Sequence, residues 1–269
     1  MNTDAAGEDL APFLAKASAR LPVLDLAPLF VPTNQRRTFV ALAVLHGELR
    51  ETVFELSDAR VTAVKCGWWA EELAGLSRGA ARHPATRALA GQPGDWAELA
   101  ASVLVAAAEP EPTADLEAAL HALLPFAATW AGIDRRLSGS SASAEACIRI
   151  WAIHWLRQRL QYGLASADAA RLPLALFARH GLRRGQLGDP AAEPLLRDAA
   201  AMLLEAQPPL PKGLPYLTRL AADADRRWLE ARRFGPGAGE GAALARPWRA
   251  WRAARDAAFR DAAAKPLST

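Results

Sequence analysis

Ala41-Leu42-Ala43-Val44-Leu45-His46-Gly47-Glu48-Leu49-Arg50-Glu51-Thr52-Val53 is the stretch whose reading decides the fold class. Its apolar residues return every three or four positions, the period of a helix with a buried side. The same spacing recurs along nearly the whole chain. Alternating β-branched runs bounded by turn residues are missing, so the expected fold is all-α. This first long helix is expected over 35–55. Upstream, a short helical stretch leads into Leu21 to Pro32, which is proline-punctuated and reads as extended. Thr33 or Asn34 is placed to cap the helix that follows, a side-chain oxygen accepting from its free N–H groups.

Downstream, Ser57-Asp58 offers a cap for a second helix ending near Arg78, with Gly79 suited to a left-handed stop, and His83-Pro84 marks a turn. Further helices are expected near 95–108, 114–138, 142–165, 172–181, 190–206, 214–233 and 243–263. The breaks between them are Glu109-Pro110-Glu111-Pro112, Ser138-Gly139-Ser140-Ser141, Gly188-Asp189-Pro190, Pro208-Pro209-Leu210-Pro211 and Gly235 to Gly241. None is long enough to require a second domain, so 1–269 reads as one domain. A hydrophobic fraction of 51% against 23% charged supplies a sizeable core and excludes a disordered chain.

Only Cys66 and Cys147 occur, each in an apolar helical stretch without zinc-ligand spacing, which argues against a disulfide framework or a metal finger and for a reducing cytoplasm. Neither a signal peptide nor a spanning helix is expected, since Met1-Asn2-Thr3-Asp4 lacks a basic start and no apolar run is long enough. The net charge of +3 is concentrated at one end. In 242–269 six basic residues, Arg246, Arg249, Arg252, Arg255, Arg260 and Lys265, stand against Asp256 and Asp261, a balance of +4. The remainder is near neutral, which argues against a nucleic-acid surface.

Three segments in order then carry a resemblance: Ala41 to Val53, Val64-Lys65-Cys66-Gly67-Trp68-Trp69-Ala70-Glu71-Glu72-Leu73, and His83-Pro84-Ala85-Thr86-Arg87-Ala88-Leu89. Phe126-Ala127-Ala128-Thr129-Trp130-Ala131-Gly132 follows, then Leu156-Arg157, Arg171-Leu172-Pro173-Leu174 and Ala178-Arg179-His180-Gly181-Leu182. Collinear over roughly 20 to 185, the set resembles the squalene/phytoene synthase family. The resemblance implies an isoprenoid synthase-like bundle of helices around a central cavity. Active members join two prenyl diphosphates head to head and use two aspartate-rich boxes on facing helices. Magnesium held by those hard oxygen ligands neutralises each leaving diphosphate.

Where the first box would lie, the sequence offers Glu48, Glu51 and Glu55, whose spacing of three and four puts them near one face as a candidate metal set. Where the second would lie, Cys147 to Tyr162 holds no carboxylate. Arg149, Arg157, Arg159, Gln158 and Gln161 stand there instead, able to grip an anion but not to collect magnesium. Trp151 and Trp155, one turn apart, either line an apolar tunnel with Trp68, Trp69 and Trp130 or belong to the core. The candidate substrate-binding set is therefore Arg149, Trp151, Trp155, Arg157, Gln158 and Gln161. His46, His83, His121, His154 and His180 are scattered without metal spacing; the resemblance implies structural turns at His83 and His180, and His154 reads as a buried, hydrogen-bonded residue.

In the last helix, Leu244, Trp248, Trp251 and Phe259 fall on one side and arginines on the rest. Such a helix either packs on the bundle with its arginines in water or lies on an anionic membrane. Three functions follow. The first is a non-catalytic or diverged family member that binds a lipid-like ligand or a protein partner. It is closest in pattern to the branch of the family that assists assembly of respiratory complex I, and it needs no cofactor. The second is a prenyltransferase using Mg2+. The third is a peripheral adaptor at the inner face of the membrane acting through 242–269.

Overall fold

The computed structural model describes residues 10–56, 58–108, 112–162, 172–234 and 245–260. Helix α1 (Ala11–Ser18) opens it. The proline-punctuated segment that follows is not extended but forms two 3-10 turns, Pro22–Asp25 and Ala27–Phe30. Pro22 and Pro28 stand in their first turns, where a fixed φ and a missing N–H cost nothing, and the turns bury Val23, Leu24 and Ala27. Helix α2 (Thr33–Arg50) begins directly after Pro32 without a side-chain cap, so neither Thr33 nor Asn34 has the role expected of it. A π turn, Glu51–Glu55, prolongs it. The wider turn carries Phe54 inward, where its ring stacks on Trp155 with centroids 5.1 Å apart.

Helix α3 (Ala59–Ser77) is capped by Asp58, whose carboxylate accepts from the N–H groups of Arg60 and Val61, and the chain leaves it through Gly79 at φ +74°. Ser57 lies outside the described residues. His83-Pro84 does more than turn the chain. His83 Nδ1 accepts from the Ala85 N–H and starts helix α4 (Pro84–Leu89). The buried Glu72 carboxylate reaches across from α3 to accept from the N–H groups of Arg82 at 2.7 Å and His83 at 2.8 Å, and from the Thr86 hydroxyl. The tryptophan-acidic-leucine and His-Pro segments are therefore one hydrogen-bonded unit.

Next come α5 (Trp96–Ala107), α6 (Leu116–His121) and α7 (Leu124–Ser138). The single helix expected over 114–138 breaks at Ala122-Leu123 because Pro125 has no N–H for the preceding turn and its ring crowds that turn's carbonyl. Then follow α8 (Ala144–Tyr162), α9 (Leu174–His180), α10 (Glu193–Ala206), α11 (Tyr216–Phe234) and α12 (Ala245–Asp256). The fold is all-α. Helix α8 lies at its centre, packed by α6, α7, α10, α11 and the π turn. Cys66 and Cys147 are free and buried, and burial pushes both thiols up to about 11.

The terminal helix departs from expectation twice. It stops at Asp256, and Ala257-Ala258 (β2) then runs parallel to Leu214-Pro215 (β1), with Leu214 opposite Ala257. The Gly213 N–H donates to the Asp256 carbonyl at 2.8 Å and the Arg260 N–H to Gln35 Oε1 at 3.0 Å, so the backbone groups are satisfied without further helix. The packed side is also a different one. Ala250 and Ala253 are buried, whereas Trp248 and Trp251 are 56% and 39% exposed. Alanine permits the close approach in which the Tyr216 hydroxyl donates to the Ala250 carbonyl at 3.0 Å. Leu244 and Gly235 to Gly241 lie outside the described residues. Among the described residues no helix is long and apolar enough to cross a membrane.

Candidate functional site

Helical spacing gathers the cationic side chains. On α2, His46 and Arg50 are one turn apart; on α8, His154, Arg157, Gln158 and Gln161 follow the i, i+3, i+4, i+7 rule of a single face. Arg227 of α11 and Arg246 and Arg249 of α12 approach from the other side, and Arg20 follows α1. Together they line a cavity of about 550 Å³.

The inner end is a hydrogen-bonded relay. The Asp225 carboxylate lies 2.8 and 3.0 Å from His154 Nδ1, His154 Nε2 is 3.0 Å from His46 Nε2, and Gln158 Nε2 is 3.2 Å from the same His154 nitrogen. With His154 donating from Nδ1 to Asp225, its Nε2 accepts, and the His46 Nε2–H is the donor; both rings are then neutral. Electrostatics agree. Burial, then His154, Arg50 and Arg157, hold His46 well below its usual pKa, and burial lowers His154 despite the opposing pull of Asp225. Burial would raise Asp225, but His154 and Arg157 outweigh it and keep the carboxylate ionised.

Of the residues singled out from the sequence, Arg157, Gln158 and Gln161 line this cavity. Arg149 does not: it grips Glu117 in a fork, both contacts at 2.7 Å. Trp151 and Trp155 are fully buried behind the histidines, their rings 5.3 and 5.1 Å from His46, so they are core. Glu48 pairs with Lys16 at 2.9 Å, and Glu51 with Lys16 at 2.7 Å and Lys65 at 3.5 Å. Glu55 pairs with Arg50 at 2.9 Å and Arg20 at 3.4 Å. None of the three lines the cavity. His46, Arg50, Asp225, Arg227, Arg246 and Arg249 were not anticipated. The signal was present as His46-x-x-x-Arg50 and His154-x-x-x-Gln158, the same spacing on two facing helices.

No protein-family model and no curated protein matches the chain. Among solved structures, the squalene synthase HpnC of Alicyclobacillus acidocaldarius superposes with a TM-score of 0.53 over 93% of each chain, at 15% sequence identity. The chain has a squalene synthase-like fold. In a squalene synthase-like bundle the resemblance places the two acidic boxes on the helices corresponding to α2 and α8. Here the inward positions of those helices hold His46 and Arg50 on one wall and His154, Arg157 and Gln158 on the other. No acidic residue is among the cavity's described lining, and no three His, Cys, Asp or Glu side chains among the described residues converge to hold a metal. A hard divalent cation needs several anionic oxygens. The donor set here does not fit magnesium.

Proposed function

We propose that this chain is a non-catalytic, diverged squalene/phytoene synthase-like protein that binds a lipid-like ligand at the α2–α8 cavity rather than condensing prenyl diphosphates. The observation that carries this reading is the pairing of histidine, arginine and glutamine where a synthase needs carboxylates. The packed interior supports it: Phe54, Phe126, Trp130, Trp151 and Trp155 are fully buried and in mutual ring contact beside the cavity, where an apolar substrate chain would need room. The test is purified protein given farnesyl or geranylgeranyl diphosphate with Mg2+. No pyrophosphate release above the blank is expected; magnesium-dependent release would overturn the reading. A prenyltransferase built on Glu48, Glu51 and Glu55 would instead lose turnover on Glu51→Gln or Glu55→Gln. A role in assembling a respiratory complex, implied by the resemblance alone, would use the same scaffold to hold a protein partner.

One further observation favours a peripheral membrane contact at the cytoplasmic face, the location proposed here. Trp248 and Trp251 lie outward on α12 with their rings tilted by 33° and centroids 4.8 Å apart, beside the exposed Arg252 and Arg255. Aromatic rings flanked by cations suit an anionic headgroup layer. Co-sedimentation with phosphatidylglycerol vesicles is expected for the protein and lost in the Trp248→Ala/Trp251→Ala variant; equal binding by both would eliminate the contact.

A further inference from the structure

The cavity's charge is one-sided. Arg20, Arg50, Arg157, Arg227, Arg246 and Arg249 converge on about 550 Å³. Two carboxylates answer three of them: Glu55 pairs with Arg50 and Arg20, and Asp225 with Arg157, which it shares with His154. Arg227, Arg246 and Arg249 form no ion pair among the described residues. Burial, and next the charge of Arg249, press the Arg227 pKa below its ordinary value against the opposing pull of Asp223, Asp225 and Glu230. Like charges gathered from α11 and α12 into one partly enclosed space repel unless an anion joins them.

A second observation also points to a ligand. Gln158 is 3% exposed and lines the cavity, its Nε2 lies against His154, and its Oε1 has no partner. A buried carbonyl oxygen without a donor costs free energy that a bound O–H removes. The site thus asks for several anionic oxygens and one hydroxyl proton. A phosphate or diphosphate group supplies both, since its oxygens accept from forked guanidinium donors while its remaining O–H donates.

We propose that the cavity binds a phosphate or diphosphate group directly through Arg227, Arg246 and Arg249, with Arg157 and Gln158 at the inner end, and without a divalent cation. The inference rests on reading the cavity as a binding site rather than a magnesium-dependent synthase site. The group is borne either by a lipid, as in a prenyl diphosphate, or by a free inorganic anion.

The experiment is calorimetric titration of the full chain with inorganic diphosphate and with farnesyl diphosphate, each in EDTA and in Mg2+. Binding in EDTA is expected for at least one of them. Farnesyl diphosphate tighter by about tenfold or more assigns a lipid source; equal affinities assign a free anion. Arg227→Gln and Arg249→Gln should each weaken binding by about tenfold or more, because each removes a charge-assisted contact. Arg197→Gln on α10, where Arg197 pairs with Glu193 and does not line the cavity, should change nothing. Arg246 is exposed at the rim, so Arg246→Gln leaves the core intact and keeps the test decisive if Arg227→Gln unfolds. Binding that requires Mg2+, absence of binding in EDTA for both anions, or equal affinity in all arginine variants would overturn the inference. Pyrophosphate release in Mg2+ would sink the non-catalytic reading while leaving binding in EDTA untouched, so the two failures are distinguishable.

Discussion

Replacing Asp134 with asparagine should stabilise the protein at neutral and alkaline pH and do nothing of the kind in acid. Asp134 sits on α7 with its carboxyl buried, and its side-chain partner is the Thr218 hydroxyl, which donates to Oδ2 at 2.6 Å and itself accepts from Trp151 Nε1 at 2.9 Å. Burial raises the carboxyl to about 7 from its ordinary 3.8, even though the Thr218 hydrogen bonds pull the other way. Between those two values the folded chain keeps a proton that the unfolded chain has released, so stability falls as pH rises through the window. Roughly three pKa units at 1.36 kcal/mol each give a loss of about 4 kcal/mol by pH 8, an upper figure since the interior relaxes around the charge. Asparagine has the same shape, still accepts from Thr218 and has no charge to bury, although its amide adds donors worth about 1–2 kcal/mol if left unpaired. Asp134→Asn should therefore gain roughly 2–3 kcal/mol near pH 8, whereas near pH 4.5, where the charge term is only about 1 kcal/mol, it should change nothing or lose up to about 1 kcal/mol. Urea unfolding followed by tryptophan fluorescence at both pH values measures the difference, and subtraction cancels the other titrating groups. A stability difference that is the same at the two pH values would refute the reasoning.

Two other substitutions test the packing. Trp155→Ala removes a fully buried indole in contact with Phe54, Phe126, Trp151 and His46, and should cost about 3–5 kcal/mol in urea unfolding. A loss under about 1 kcal/mol would mean that the interior collapses freely and the aromatic cluster is no barrier. Glu72→Ala strips the acceptor from Arg82, His83 and Thr86 and should cost about 3 kcal/mol. Burial raises the Glu72 pKa, but the hydrogen bonds from Thr86, His83 and Arg82 outweigh it and set it below 4.5. Its contribution is therefore present above that range and lost as pH falls through the folded value, so the variant should show a flatter acid limb than the parent, with a parallel acid limb as the contrary result.

Helix after helix was legible because apolar spacing reports burial on one side, and the structure keeps α3, α5, α8, α10 and α11 close to where the spacing puts them. The misreadings have two causes. Pro22, Pro28 and Pro125 suit a helix's first turn as well as a break, and spacing alone does not choose between them. In α12 the tryptophans looked like the packed side, but distance of approach governs there, and the small residues Ala250 and Ala253 face the bundle. The resemblance was carried by residues that hold the scaffold: Glu72 fastened to His83 and Thr86, and the turn at Gly181, whose φ is +62° and whose preceding His180 lies 2.9 Å from Asp198. Such residues report architecture and are silent on chemistry.

The site was harder to read because α2 offers two polar stripes and only one faces inward. At about 100° per residue, Arg50 lies roughly 40° from His46, whereas Glu48 and Glu51 lie roughly 200° and 140° from it. The stripes therefore exclude one another. Hydrophobic patterning does not choose between them, since Ala41 to Leu45 is buried all the way round. A search for carboxylates selects the glutamates. Lys16 and Lys65 decide the matter from outside the helix, by holding Glu48 and Glu51 on the outer side and leaving His46 and Arg50 to the cavity. The +4 balance of 242–269 belongs to the same argument: with Arg246 and Arg249 turned onto the cavity that Arg157 and Arg227 also line, part of the terminal charge is a wall of the site rather than a solvated tail. On the reading proposed above, facing helices that carry bases where a synthase would carry metal-binding acids suit an anion alone rather than a magnesium-bridged one.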